Sequence, residues 1–194
     1  FISQYTIIGK TLSGLNIDYI GAGNQSVNSL NYGSLTISTN GVRTVTFPLA
    51  DVGVSNIFSP TSLTTTYDVT GNTINFNGTI VQTIPAFTYN NLISAGSSAK
   101  TLNGNIVVNN DITITSNLDV SASNYLVSVK RNWINNGTFN AQEGAVVFDG
   151  SVAQTLSGLG TIISTKELSN SNLKSSIKGV IESFNSSIIF PYIF

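Results

Sequence analysis

A nine-residue pattern occurs three times in this chain: an aromatic residue, any residue, glycine, three variable residues, glutamine, serine or threonine, and an aliphatic residue. The copies are YIGAGNQSV, FNGTIVQTI and FDGSVAQTL, beginning at Tyr19, Phe76 and Phe148. Self-similarity within one chain is the signature of repeat architectures, whose units bury their apolar faces by stacking on one another. The pattern therefore predicts a repeat protein. Its fixed residues are Gly21, Gly78, Gly150, Gln25, Gln82 and Gln154.

The sequence between the copies is typical of short β-strands. Runs such as Ile106-Val107-Val108 and Ile112-Thr113-Ile114 are β-branched or alternate apolar with polar residues, and Asn-Asn, Asn-Gly or Ser-Asn turns separate them. Strands this short and this numerous predict an all-β fold. A parallel β-solenoid (β-helix) is favoured from about Tyr89 to Leu159, and a series of tandem β-sandwiches is the alternative.

Four segments are expected along the chain. Residues 1–46 form a partial repeat, and residues 47–75 form a proline-containing irregular β segment, because proline cannot donate to a strand ladder. Residues 76–164 form the solenoid repeat, and residues 165–194 are a divergent segment ending in the start of a further repeat. Apolar residues at helical spacing from Leu173 to Phe184 make a short helix the alternative there. Because both ends fall inside repeats, we expect an internal piece of a longer protein.

The composition excludes several classes of function. Histidine, cysteine and methionine are absent, which removes disulfides, imidazole and thiolate metal ligands, and catalysis based on His or Cys. Only 9% of residues are charged and the net charge is -1, so no basic surface is expected to attract nucleic acid. The sequence contains no run of about 18 apolar residues, so membrane insertion is not expected. We expect a protein that is not an enzyme and has no cofactor and no metal site.

Longer stretches carry a family resemblance. They are KTLNGNIVVNNDITI from Lys100, NWINNGTFNA from Asn132 and VVFDGSVAQTL from Val146, together with YNNLIS from Tyr89. These stretches resemble the repeats of very large cell-surface and secreted proteins of Bacteroidota that are exported by the type IX secretion system. The resemblance implies a structural or adhesive module, a rigid stalk or scaffold, on the bacterial outer surface. A carbohydrate-binding or polysaccharide-cleaving β-helix and a filament or phage-fibre subunit are the alternatives.

The candidate site residues each have a functional and a structural interpretation. Trp133, Tyr125 and Tyr89 are candidates for a sugar-stacking platform, although strand alternation also allows them to lie in the core. The repeated glutamines are expected to satisfy backbone groups at turns, and the repeated glycines to supply backbone conformations that other residues reach at a cost. Asp149 occupies the position of Asn77 in its sister copy, which indicates a turn former and not a catalytic acid. The expected partners are other repeats of the same chain, with surface glycans or like subunits as further candidates.

Overall fold

The computed structural model of this chain describes residues 14–38, 41–61 and 64–164. Those residues form 22 short strands. Every pairing among them is parallel and joins residues 18 to 23 positions apart, from Ile17 with Leu35 to Trp133 with Leu156. One turn of the chain therefore lies directly on the next, which confirms the parallel β-solenoid and the all-β class. The described residues include no helix long and apolar enough to cross a membrane.

Each coil contributes one strand to each of three faces. The first face contains β1 (Ile17–Tyr19), β4 (Leu35–Ile37), β7 (Phe58–Pro60), β10 (Gln82–Ile84), β13 (Lys100–Leu102), β16 (Asn117–Asp119), β19 (Thr138–Gln142) and β22 (Thr161–Ser164). The second contains β2 (Gln25–Ser26), β5 (Arg43–Thr46), β8 (Thr65–Asp68), β11 (Thr88–Tyr89), β14 (Ile106–Val108), β17 (Val127–Val129) and β20 (Val146–Phe148). The third contains β3 (Asn31–Tyr32), β6 (Asp51–Val54), β9 (Thr73–Phe76), β12 (Asn91–Ser94), β15 (Ile112–Ile114), β18 (Trp133–Asn135) and β21 (Leu156–Ser157).

The three faces differ in continuity. The third is one sheet of seven strands, so seven coils span about 30 Å at the usual strand spacing. The first face is divided into a three-stranded sheet that ends at β7 and a five-stranded sheet that begins at β10. The second face is divided between β8 and β11 in the same way. Both interruptions fall between the third and fourth coils.

The core consists of inward-facing side chains stacked in register from coil to coil. On the third face the pairings align one apolar row: Val52, Ile74, Leu92, Ile112, Trp133 and Leu156. All of these except Leu156 are buried, and each buried aliphatic side chain contributes about 1.5–3 kcal/mol. The alternation of β-branched and polar residues therefore sends one row inward and leaves Asn, Ser and Thr outside.

Asparagine and aspartate side chains link successive coils at the entrance to the third face. Asn91 Nδ2 donates to the carbonyl of Asn72 at 3.2 Å, and Asn91 Oδ1 accepts from the N–H of Asp111 at 3.2 Å. Asp111 Oδ1 accepts from Asn132 N–H at 3.0 Å, and Asn132 Oδ1 accepts from Thr155 N–H at 3.2 Å. Each side chain thus satisfies a turn amide in the coil above it, so the Asn-rich turns hold coils together.

The expected segment boundaries do not appear as breaks in the third face. Residues 47–75 contribute β6, β7, β8 and the start of β9, and β6 pairs in register with strands on both sides. On the third face this segment is therefore continuous with its neighbours, whereas the sheets of the first and second faces end at its strands β7 and β8. Residues 165–194, with the alternative helix from Leu173 to Phe184, lie outside the described residues.

Candidate binding cleft between the third and fourth coils

The interrupted ladders open the surface of the solenoid at one level. Strand β9 pairs with β12 on the third face, but no ladder joins β7 to β10 or β8 to β11. A cleft of about 510 Å³ lies between β8 and β11, and we call it the second-face cleft. A smaller opening of about 310 Å³ lies between β7 and β10. The volume of the second-face cleft is within the range of about 300–1,000 Å³ that is usual for small-molecule sites.

Two prolines account for the missing ladder on the first face. Thr61 N–H donates to Ile37 O at 3.2 Å, so by alternation position 60 directs its backbone toward β10. Gln82 N–H donates to Ala99 O at 3.1 Å, so position 85 faces β7. Pro60 and Pro85 occupy these two positions, and neither has an N–H to donate. The two strands that should pair therefore each lack a donor on the shared side.

Aromatic packing closes the solenoid interior beneath the interruption. Six rings form one cluster with centroid separations of 5.0 to 6.4 Å, mostly edge-to-face: Phe47, Phe58, Tyr67, Phe76, Phe87 and Tyr89. Such pairs contribute about 0.5–1.5 kcal/mol each beyond their buried area. The cluster joins residues of the second, third and fourth coils, so it replaces part of the cohesion that the absent ladders would supply.

Two of these rings line the second-face cleft. Tyr67 and Phe87 are half-buried, and their centroids are 5.0 Å apart at an interplanar angle of 75°. The Tyr67 hydroxyl donates to the carbonyl of Thr61 at 2.5 Å. Burial raises the pKa of Tyr67, so the phenol stays protonated at neutral pH. The cleft therefore has a rigid aromatic wall with its polar end already engaged.

The other lining groups are polar and largely uncharged. Thr65 Oγ1 is buried and has no hydrogen-bond partner, which costs about 1–3 kcal/mol if it stays unpaired. Thr88 and Asn109 lie on the opposite side. Asp68 is at the rim, where hydrogen bonds from Thr70 lower its pKa and keep the carboxylate ionised. The described residues that line the cleft include no Lys or Arg, so nothing among them would attract an anion.

The backbone edges of the two strands also face the cleft. Arg43 N–H and Phe47 N–H donate to the carbonyls of Thr64 and Asp68, so the even-numbered residues of β8 point toward β5. Thr65 and Tyr67 consequently direct their N–H and C=O groups toward β11. A ligand in the cleft would meet these groups directly.

The repeated glycines and glutamines form turns, and they lie at three different corners of the solenoid. Each glycine N–H donates to Oε1 of the glutamine four residues later: Gly21 to Gln25, Gly78 to Gln82 and Gly150 to Gln154, at 3.1, 2.8 and 3.2 Å. The copies precede β2, β10 and β21, on the second, first and third faces respectively. They therefore cannot stack into a glutamine ladder. The separations between the three copies in the sequence therefore do not correspond to a whole number of coils.

The reason for glycine at these positions differs from the expected one. None of Gly21, Gly78 and Gly150 has a positive φ. A Cβ at Gly78 would overlap the carbonyl oxygen of Ser55, and one at Gly150 would overlap that of Lys130, both in the preceding coil. Close approach of one coil to the next, and not an unusual backbone conformation, requires glycine there.

A buried cation completes two of these turns. Lys100 is 0% exposed, and its Nζ donates to the carbonyls of Gly78 and Ser98 at 3.0 and 2.8 Å. Arg43, in the coil that follows Gly21, has the same role and donates to Gly21 O and to Gln25 Oε1. Burial lowers the pKa of Lys100. These cations bind backbone carbonyls and leave no charge directed at a ligand.

Two of the three rings considered for a sugar-stacking platform lie in the core, as strand alternation also allowed. Trp133 is 2% exposed and packs edge-to-face on Phe139 with centroids 4.8 Å apart, and Tyr89 is 0% exposed within the aromatic cluster. Tyr125 is half-buried against the core on the second face side of the sixth coil. Strand alternation directs Trp133 and Tyr89 inward, so the three rings share no accessible face.

The acidic residues take part in local hydrogen bonds. Asp119 accepts from Asn140 Nδ2 at 2.9 Å and from Ser121 N–H at 2.7 Å, and Asp149 accepts from Ser128 Oγ at 2.9 Å. Within the part of the chain that the structure describes, no three carboxylates gather as metal ligands. These acids therefore stabilise turns and coil contacts.

Sequence reasoning missed the residues of the second-face cleft, Thr65, Tyr67 and Phe87. Pro60 and Pro85, which are about one coil apart, signal the missing ladder on the neighbouring first face, but no residue type marks β8 and β11 as unpaired. Comparison with known proteins adds no candidate. No family model, curated protein or solved structure matches this chain.

Proposed function

We propose that this chain is a structural or adhesive module of a larger secreted or surface-exposed bacterial protein, in which it acts as a rigid stalk or scaffold. One observation supports it most: each described strand pairs only with strands one coil away. Stability then comes from nearest-neighbour stacking, so such a rod can be lengthened coil by coil without redesigning a central core. The sequence is rich in Asn, Ser and Thr, and only 9% of its residues are charged.

The location and the absence of catalysis belong to the same proposal. The resemblance of the repeat stretches to Bacteroidota surface proteins supports a place on the outer surface. The engagement of Asp119 and Asp149 in local hydrogen bonds supports a non-catalytic role over polysaccharide cleavage, which needs a free pair of carboxylates on either side of a scissile bond.

Removing one whole coil tests the stacking that the stalk requires. Leu92 is paired with Ile112, 20 residues further on, so deletion of residues 92–111 brings Ile112 into the position of Leu92. We expect a folded protein about 4.8 Å shorter, with its β-sheet circular dichroism retained. The matched control deletes residues 92–101, half a coil, which moves first-face residues onto the third face and should abolish cooperative unfolding. Equal loss of structure in both deletions would contradict the proposal.

Location is tested on intact producing cells with an antibody against the folded chain. Surface exposure predicts binding without permeabilisation, and loss of the signal after brief treatment with external protease. An antibody signal that appears only after the cells are permeabilised would refute the surface assignment.

A further inference from the structure

We propose that the second-face cleft between β8 and β11 is a binding site for a neutral saccharide. This inference goes beyond the proposed function as a stalk or scaffold, and that function would remain possible if the cleft bound no ligand. It depends on three properties found together in one opening of about 510 Å³: aromatic rings, uncharged hydroxyl and amide groups, and a buried polar atom without a partner.

The aromatic wall suits the apolar face of a sugar ring. Tyr67 and Phe87 are held at 5.0 Å by the cluster beneath them, and Tyr67 is fixed further by its bond to Thr61 O. Rigid aromatic side chains provide contact area at low cost in conformational entropy. A sugar seated there would cover half-buried rings that are already ordered.

The polar groups suit sugar hydroxyls, which both donate and accept hydrogen bonds. Thr65 Oγ1 is buried and lacks a partner, and the hydroxyl of Thr88 and the amide of Asn109 lie across the cleft. Thr65 Oγ1 is enclosed in the free protein, so a sugar hydroxyl reaches it when the Thr65 side chain turns toward the cleft, and the new hydrogen bond would satisfy a group that otherwise costs folding free energy. Binding would thus remove a penalty in addition to forming contacts.

The charge of the lining selects among polar ligands. Asp68 is ionised, and the other lining residues that the structure describes are uncharged. A phosphate, sulfate or uronate would meet an uncompensated carboxylate, and like charges in proximity are repulsive. The lining therefore favours a neutral sugar over an acidic one.

The strand edges favour a sugar over an extended peptide. From β8 only Thr65 and Tyr67 direct backbone groups into the cleft, and β11 has two residues, of which Thr88 alone faces β8. An inserted strand could form only a few ladder hydrogen bonds, whereas main-chain pairing supplies the affinity of strand addition. Single backbone donors and acceptors are sufficient for sugar hydroxyls.

The experiment titrates the intact protein with glucose, galactose, N-acetylglucosamine and cellobiose, with glucuronate as the acidic counterpart of glucose. Binding is followed by saturation-transfer NMR and by amide shifts. At least one neutral sugar should bind with a Kd of about 1 mM or tighter and shift the amides of Thr65, Phe87 and Thr88. Glucuronate should bind more weakly, and Asp68→Asn should reduce that difference.

Thr65→Val provides the decisive variant, because valine keeps the shape of threonine and removes only the unpartnered hydroxyl. It should leave the melting temperature unchanged or raise it, yet weaken sugar binding about tenfold. Thr113→Val, on β15 and away from the cleft, is the matched control and should not change affinity. The proposal is overturned if no neutral sugar shifts these amides at about 50 mM, if Thr65→Val binds as well as the parent, or if only an extended peptide binds.

Discussion

Gln82 connects the two parts of the solenoid where the first-face ladder is missing, and Gln82→Met tests how much of the stability depends on it. The side chain is 2% exposed. Its Oε1 accepts from Gly78 N–H at 2.8 Å, and its Nε2 donates to the carbonyls of Val54 and Asn56 at 2.9 and 3.0 Å. Methionine keeps the length and flexibility of glutamine and removes all three hydrogen bonds.

The expected cost follows from which groups lose their last partner. Val54 O also accepts from Asn77 N–H, so it remains satisfied. Gly78 N–H is left buried and unpaired, which costs about 1–3 kcal/mol, and each lost bond to a carbonyl costs about 0.5–1.5 kcal/mol. Burial of the apolar methionine side chain adds about 1 kcal/mol to the free energy of unfolding. The net loss in free energy of unfolding should be about 3 kcal/mol.

Gln154→Met is the matched control, since Gln154 makes the same three kinds of bond at a more exposed turn. Water can replace its partners there, so the cost should stay below about 1 kcal/mol. Urea unfolding of both variants, followed by circular dichroism, gives the two free energies. Equal losses, or a loss below about 0.5 kcal/mol for Gln82→Met, would show that the bridging hydrogen bonds do not hold the interrupted face.

Two further predictions concern pH and backbone. Burial raises the pKa of Tyr89 well above 10, so the stability that the buried phenol contributes is present below about pH 10 and is lost as the pH rises further. The Tyr89→Phe variant loses the hydrogen bond to Pro85 O and should be about 1 kcal/mol less stable than the parent at pH 7. Urea titrations should show this difference shrinking above about pH 10, because only the parent has a phenol to ionise. Gly96→Ala, at φ +83° and against Gly78 O, should cost at least about 2 kcal/mol, whereas Gly23→Ala, in open space, should be neutral within about 1 kcal/mol by thermal unfolding. A constant Tyr89→Phe deficit, or equal effects of the two alanines, would contradict these assignments.

The fold class could be predicted because its signals are local. Runs such as Ile112-Thr113-Ile114 are short, β-branched and bounded by Asn-rich turns, and these properties lead to a parallel solenoid with few alternatives. The number of residues in each coil is less evident from the sequence. Gly21, Gly78 and Gly150 lie at different corners, so the distances between them combine unequal numbers of strands and conceal the period of 18 to 23 residues.

The cleft could not be predicted because it depends on pairings that fail. On the neighbouring first face, Pro60 indicates an edge, but only the register with β4 shows which edge, and only the stacking of coils brings Pro85 opposite it. On the second face, no residue type marks β8 and β11 as unpaired. The orientation of Trp133 was also not determined by the sequence. An aromatic residue among asparagines suits a sugar platform equally well until the alternation of β18 directs the ring inward.

The position of the interruption explains why the solenoid tolerates it. The third face continues through β6, β9 and β12, so each coil keeps a paired strand on both sides at that level. Beneath the opening, Phe58 and Phe87 pack edge-to-face at 5.3 Å, and Gln82 Nε2 donates to the carbonyl of Asn56 across the missing first-face ladder. Between the third and fourth coils, side-chain contacts therefore replace the backbone ladders of the first and second faces. Side chains, unlike ladders, can enclose a cavity with chosen chemistry, which is why the cleft and not the regular faces is the place to look for a ligand.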